Sequence, residues 1–171
     1  MPDKITSVGG QVIFLFNKRS QKASVLHWIS KKLRRKVVSS LAGECYAMLS
    51  TIGQLVYTKA VLAEIYGRRM KSLPMIIVTD CKNLEEAVIG SSLVEDAWLI
   101  PDIAVIKEAI EEGEISAVTR VASERMVANC LTKSGASGVE LMNMIRLGSY
   151  LPPGGWIEKV NKVVLSSKTV N

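Results

Sequence analysis

Hydrophobic and polar positions near the start of the chain follow a pattern that predicts a β-hairpin. Residues 11–16 and residues 24–29 are rich in β-branched and aromatic side chains, and the polar stretch 17–22 between them is typical of a turn. From residue 41 to residue 66 the apolar positions instead recur every three or four residues, which predicts one long amphipathic helix. One of the two serines that precede this helix can cap it, and the glycine that follows can end it.

The rest of the chain alternates predicted strands with predicted helices. Strands are predicted over residues 75–80 and 115–121, and helices over residues 84–89, 101–113, 123–131 and 139–147, with Ser123 as a helix cap. A pair of consecutive strands, followed by strands that helices separate, predicts an α/β fold with a mixed sheet and helices on both faces.

Two carboxylates are candidates for chemistry. Asp80 follows the apolar run 75–79, so we expect it at the carboxyl edge of the sheet, where ligands and metals bind in open α/β sheets. Glu44 is expected in the first turn of the long helix, where a carboxylate also suits the helix dipole. By pattern alone, both residues can equally be ordinary surface acids.

Size and composition favour one globular domain. The chain has 171 residues, 48% of them hydrophobic, which is enough for a single core. No apolar run reaches the roughly 20 residues that span a bilayer, and the first residues lack the features of a signal peptide. We therefore expect an intracellular protein, cytoplasmic or nuclear, with no membrane partner. Residues 1–150 are predicted to form the domain and residues 151–171 a basic C-terminal tail.

The charge of the chain favours an anionic partner. The formal net charge is +6, and part of it is concentrated in five residues that we call the basic cluster: Lys31, Lys32, Arg34, Arg35 and Lys36. Such a cluster can follow a phosphate backbone, but it can equally be a solvated surface. Three cysteines without a C-x-x-C pair argue against a zinc site and for free thiols.

Four stretches match, in order and at compatible spacing, the motifs of one known family. They are W-I-S-K-K with S-S-L-A-G-E at 28–44, T-D-C-K-N-L at 79–84, D-I with I-K-E and G-E-I at 102–115, and A-N-C-L-T-K at 128–133. They resemble the motifs W-S-K-K with S-S-x-A-E, T-D-x-x-S-L, D-I-x-x-I-R-E with G-x-I, and L-A-D-x-L-T-K. Those motifs belong to the ribonuclease H domain of copia-type LTR retrotransposon polyproteins, which also contain a reverse transcriptase. The resemblance runs from about residue 8 to residue 147.

The resemblance implies a ribonuclease H-like mixed sheet and hydrolysis of the RNA strand in an RNA–DNA hybrid. In that family four acidic residues hold two Mg²⁺ or Mn²⁺ ions, which activate water and stabilise the leaving oxygen. Carried over by position, Glu44 and Asp80 are the catalytic and metal-binding acids. The last acid position falls on Asn129, whose amide lacks the charge. The first position has no counterpart, because the strand that carries it would lie upstream of Gly9 and Gly10.

We therefore expect a ribonuclease H-like domain that lacks its first strand and is degenerate or incomplete for catalysis. A residual role would be nucleic-acid binding through the basic cluster. Two alternatives remain open: an active hybrid ribonuclease completed by residues outside this chain, and a structural module of a larger assembly. The missing strand has three explanations, namely a truncated chain, flanking strands that close the gap, or a replacement strand. A protein partner or the apolar residues 162–165 of the tail can supply that replacement.

Overall fold

The computed structural model describes residues 7–35, 37–67, 72–90 and 96–150. The strands are β1 (Val8–Asn17), β2 (Lys22–Lys32), β3 (Ile76–Thr79) and β4 (Ala117–Arg120). The α-helices are α1 (Ser40–Tyr66), α2 (Lys82–Ile89), α3 (Ile100–Glu111) and α4 (Val139–Leu147). The predicted α/β class is confirmed. The predicted tail, residues 151–171, lies outside the described residues.

The predicted hairpin and long helix are both present. β1 pairs with β2 in antiparallel register, from Val8 opposite Lys32 to Asn17 opposite Lys22. α1 begins behind Ser39, whose Oγ accepts a hydrogen bond from the backbone N–H of Ala42 at 3.1 Å, as an N-cap does.

The end of α1 is as predicted, but the position of Glu44 within it is not. α1 ends at Gly67, whose φ of 84° lies in the region that favours glycine. Glu44 was expected in the first turn and lies in the second instead, because the helix begins at Ser40 and its first turn holds no acid.

β3 and β4 form a second pair, which is parallel. Ile76 lies opposite Ala117 and Thr79 opposite Arg120, and α2 and α3 make the crossover between the two strands. Within the described ranges, the β1–β2 pair and the β3–β4 pair form two separate two-stranded sheets. The flanking strands therefore do not close the gap that a missing strand would leave.

One predicted helix is wrong. Residues 123–131 form two short 3-10 helices, Ser123–Arg125 and Val127–Leu131, rather than an α-helix. Met126 separates them with an extended backbone (φ −79°, ψ 102°), and the residue at the N-cap position of the first turn is Ala122 rather than Ser123. The helical ladder cannot continue through a residue in that conformation.

Helices lie on opposite faces of the hairpin. On one face, Thr51 Oγ1 of α1 donates a hydrogen bond to Gln11 Oε1 of β1 at 2.9 Å. On the other face, Phe14 packs against the buried cluster that holds Leu141 and Met144 of α4. The larger core lies between α1, α2, α3 and the β3–β4 pair. No helix in the described part of the chain is long and apolar enough to cross a membrane.

Candidate functional site

Three distant parts of the sequence meet at the carboxyl end of β3. Asp80 follows the last residue of β3, Glu44 projects from the second turn of α1, and Asn129 lies on the Val127–Leu131 turn. Asn129 Nδ2 donates hydrogen bonds to Asp80 Oδ2 at 3.2 Å and to the carbonyl oxygen of Ser123 at 2.7 Å. Asn129 and Asp80 are therefore in direct contact, and Glu44 is close enough to Asp80 for that charge to raise its pKa.

A lysine completes the surroundings of Asp80. Lys133 Nζ lies 3.8 Å from Asp80 Oδ2, and the Asp80 side chain is only 10% exposed. The same carboxylate oxygen thus faces both the amide of Asn129 and the ammonium of Lys133. The Lys133 side chain is 57% exposed, so solvent screens this attraction and its contribution to stability is modest.

The surroundings of Glu44 disfavour its ionised form. Burial raises the pKa of Glu44, the negative charge of Asp80 raises it further, and the positive charge of Lys133 partly lowers it again. Both effects disfavour the charged carboxylate, because desolvation and a like charge each raise the free energy of the ionised form.

The donor set does not fit a pair of divalent cations. Mg²⁺ takes six oxygen ligands in near-octahedral geometry, several of them waters and carboxylates. Glu44 and Asp80 supply two carboxylates, while Asn129 directs its N–H towards Asp80 and Lys133 brings a competing positive charge. Among the described residues there is no group of three or more His, Cys, Asp or Glu that could hold a metal ion.

Replacing Glu44 by glutamine is expected to stabilise the protein near neutral pH. The folded-state pKa of Glu44 is raised above its ordinary value of 4.5, so the folded protein binds this proton more tightly than the unfolded chain does. Stability therefore falls as the pH rises from 4.5 through the folded-state pKa, and glutamine avoids this loss. Thermal unfolding should give Glu44→Gln a higher midpoint than wild type at about pH 7, and the difference should vanish near pH 4.

The matched control is Glu64→Gln, which removes a carboxylate from an exposed position near the other end of α1. Its midpoint should follow that of the wild type at both pH values. Equal midpoints for Glu44→Gln and wild type at neutral pH would contradict the role given to burial and to Asp80.

The basic cluster begins at the same edge of the molecule as the acid pair. Lys31 and Lys32 end β2 and are exposed. The preceding residue, Ser30, donates a hydrogen bond from Oγ to the carbonyl oxygen of Leu131 at 2.6 Å. That bond ties the end of β2 to the turn that carries Asn129. The two lysines therefore lie next to the candidate site rather than on a remote surface.

The other residues of the basic cluster differ in their surroundings. Arg35 Nη1 lies 2.8 Å from both carboxylate oxygens of Asp102, and its guanidinium stacks over the ring of Tyr46 with 5.0 Å between Cζ and the ring centroid. The hydrogen bond and the charge of Asp102 raise the pKa of Arg35. Arg34 is exposed, and Lys36 lies outside the described residues. Arg35 is itself exposed, but its charge is paired with that of Asp102. The other exposed cations of the cluster that the structure describes are Lys31, Lys32 and Arg34.

The cysteine near the site has an unreactive environment. Burial raises the pKa of Cys81, next to Asp80 in the chain. Burial also raises the pKa of Cys45 on α1 to about 12. A thiol needs its thiolate form to act as a nucleophile, so neither residue suits that role at neutral pH.

Sequence reasoning missed Lys133 and the ion pair of Arg35. Lys133 is the last residue of the A-N-C-L-T-K stretch, four residues after Asn129. This spacing can be seen in the sequence, but the distance from Lys133 to Asp80 cannot. In the sequence, Asp102 stands out only as part of the D-I motif, and no sequence pattern predicts its ion pair with Arg35.

Comparison of the chain with models of protein families, with curated proteins and with solved structures finds no match. The family resemblance therefore rests on the four sequence stretches, and the geometry at Asp80 is an independent observation beside it.

Proposed function

We propose that this chain is a ribonuclease H-like domain, derived from a copia-type retrotransposon polyprotein, that binds RNA–DNA hybrid without cleaving it. This proposal rests on the groups that surround the carboxylate of Asp80. Its carboxylate faces an amide and an ammonium group, where the family needs further carboxylates and metal ions. In this proposal the site lies at the end of β3, as the resemblance implies, but its charges differ from those of the family.

The charge of the site argues against catalysis. A phosphodiester under attack accumulates negative charge, and enzymes of this type offset it with divalent cations that several carboxylates hold in place. Here Lys133 places a positive charge 3.8 Å from Asp80, which disfavours a second cation there. The raised pKa of Glu44 weakens the second carboxylate as a cation ligand. Asn129 supplies no charge at the third position.

The position of the exposed cations argues for binding. Lys31 and Lys32 directly follow Ser30, which is bonded to the turn that carries Asn129, and Arg34 follows two residues later. The net charge of the chain is +6. Cations on a protein surface bind nucleic acid largely by releasing the counterions of the phosphates, which requires no base contact. A hybrid that lies across this edge would meet the lysines first and the candidate site next to them.

The test combines cleavage and binding on one substrate. The purified chain is incubated with a labelled RNA–DNA hybrid and either Mg²⁺ or Mn²⁺, with Asp80→Asn as the matched variant. We expect no metal-dependent cleavage by either protein, together with hybrid binding that weakens as salt increases.

Each contrary result selects one of the other functions. Metal-dependent cleavage that Asp80→Asn abolishes would contradict the proposal that the domain does not cleave the hybrid. It would favour a ribonuclease completed by residues outside this chain. Absence of binding at low salt would instead favour a structural module in a larger assembly, with a protein partner that completes the sheet.

A further inference from the structure

Trp98 is the most exposed large hydrophobic residue in the part of the chain that the structure describes. It is 82% exposed, and Ile100, two residues later, is 53% exposed. An indole ring is a large apolar surface with one polar group, and tryptophan is enriched where proteins bind their partners. The turn that carries Trp98, residues 97–99, is therefore a candidate binding surface.

This turn is fixed to the core of the domain. Leu99, the residue after Trp98, is 1% exposed and packs in the larger core. The backbone N–H of Leu99 donates a hydrogen bond to the carbonyl oxygen of Asp96 at 2.9 Å. Asp96 Oδ2 in turn accepts a hydrogen bond from Ser39 Oγ at 3.0 Å, at the start of α1. Because these contacts already hold the backbone, a ligand that covers the ring orders few further groups, which lowers the entropic cost of binding.

Trp98 lies close to one residue of the basic cluster. The helical backbone continues from the turn into α3, since Leu99 and Ile100 both have right-handed helical dihedral angles. Residues four apart in a helix share one side of it, so Asp102 lies on the side of Trp98, roughly 6 Å further along the axis. Asp102 pairs with Arg35 at 2.8 Å. Trp98 is therefore about one helical turn from this ion pair.

Two further cations of the cluster lie a short distance from Arg35. Arg34 is its neighbour in the chain, and Lys32 precedes it by three residues. Three residues of extended chain span at most about 11 Å. Both side chains are exposed, whereas the charge of Arg35 is paired with that of Asp102. A nucleic-acid strand that follows these cations would thus reach Trp98 within a few nucleotides.

We propose that the ring of Trp98 stacks on the base of an unpaired nucleotide, in a nucleic acid whose phosphates bind the basic cluster. Aromatic rings beside a cationic surface bind single-stranded DNA and RNA in this way, because every base has a π-face. Lysine is depleted at interfaces between proteins, so the cations beside the ring favour nucleic acid over a protein partner. The inference rests on the proposed function, since the same cluster is proposed to bind the hybrid. It adds a preference for a hybrid with a single-stranded extension.

The test measures the affinity of the full chain for labelled RNA–DNA hybrids by fluorescence anisotropy. One hybrid is blunt, and the other has a single-stranded extension of about six nucleotides, a length within the range that one binding module covers. The extension is placed on the DNA strand in one series and on the RNA strand in another. Trp98→Ala should bind the extended hybrid about 5- to 150-fold less tightly than the wild type, because stacking of one base contributes that much. Both proteins should bind the blunt hybrid equally.

Three further variants separate stacking from other effects. Trp98→Phe keeps an aromatic ring and should retain most of the affinity for the extended hybrid. Trp98→Leu keeps an apolar side chain without a ring and should behave as Trp98→Ala does. Tyr66→Ala removes a ring that is 64% exposed at the end of α1 remote from Ser39, and it should behave as the wild type. Since Trp98 is exposed, its variants should remain folded, which circular dichroism checks.

Each contrary result overturns the inference in a different way. If Trp98→Ala binds both hybrids as the wild type does, the ring does not contact nucleic acid, and a protein partner becomes the better occupant. If Trp98→Leu keeps the affinity, an apolar contact replaces stacking. If Trp98→Ala weakens both hybrids by the same factor, the ring contacts the duplex and no unpaired base.

Failure of the proposed function gives a different result, because the wild type would then not bind the blunt hybrid at low salt. Binding of the single strand alone, lost in Trp98→Ala, would still support the stacking role of Trp98. Absence of binding to blunt hybrid, extended hybrid and single strand would overturn the proposed function and this inference together.

Discussion

Replacing Ile106 by alanine is expected to lower the free energy of unfolding by about 2–5 kcal/mol. Ile106 lies on α3 with none of its surface exposed, in the core that also holds the fully buried Leu84 of α2 and Ala42 of α1. The substitution removes buried methyl groups and leaves a cavity that the packed helices can fill only in part. Domains of this size have only about 5–15 kcal/mol of stability, so the loss is a large share of the total.

The measurement is urea unfolding followed by circular dichroism, with Val105→Ala as the matched control. Val105 is the neighbouring residue on α3 and is 53% exposed, so its truncation should change the free energy of unfolding by no more than about 0.5 kcal/mol. A loss below about 1 kcal/mol for Ile106→Ala, or equal losses for both variants, would show that α3 does not pack as described.

Neutralising three exposed cations of the basic cluster is expected to weaken hybrid binding on the order of 100-fold at 0.1 M salt. The variant combines Lys31→Gln, Lys32→Gln and Arg34→Gln. Each phosphate contact contributes a slope of about −0.9 to the dependence of log affinity on log salt. Loss of three contacts should therefore make that slope shallower by about 2–3, and fluorescence anisotropy at several salt concentrations measures both quantities.

The control removes the same charge from the other end of the hairpin. Lys18→Gln, Arg19→Gln and Lys22→Gln alter the β1–β2 turn, which is the far end from the lysines that pair with Val8 and Gly9. This variant should keep most of the affinity and most of the salt slope. Equal losses in the two triple variants would mean that net charge, rather than the basic cluster, governs binding.

Local patterns predicted most of the secondary structure. The hairpin, α1 with its serine cap and terminal glycine, the two short strands and the last helix each depend on residues a few positions apart. The prediction for residues 123–131 was wrong because its apolar spacing is compatible with a helix. The extended backbone of Met126 that breaks it is not encoded in that spacing.

The candidate site was predictable only in part. The motifs carried Glu44, Asp80 and Asn129 to one place, and the hydrogen bond between Asn129 and Asp80 agrees with that placement. The motifs did not predict what Asp80 contacts. The distribution of charge placed Arg35 in the basic cluster, and the structure pairs its guanidinium with Asp102.

The sequence by itself determined the order of the elements, the start and end of α1 and the residue types at the site, because periodicity and capping act over a few residues. Only the tertiary structure decided that Lys133 lies beside Asp80, that Asp102 holds Arg35, and that the ring of Trp98 is exposed. Asp102 lies 67 positions after Arg35, and Asn129 lies 49 positions after Asp80. Contacts over such separations depend on how whole elements pack, and no local pattern reports them.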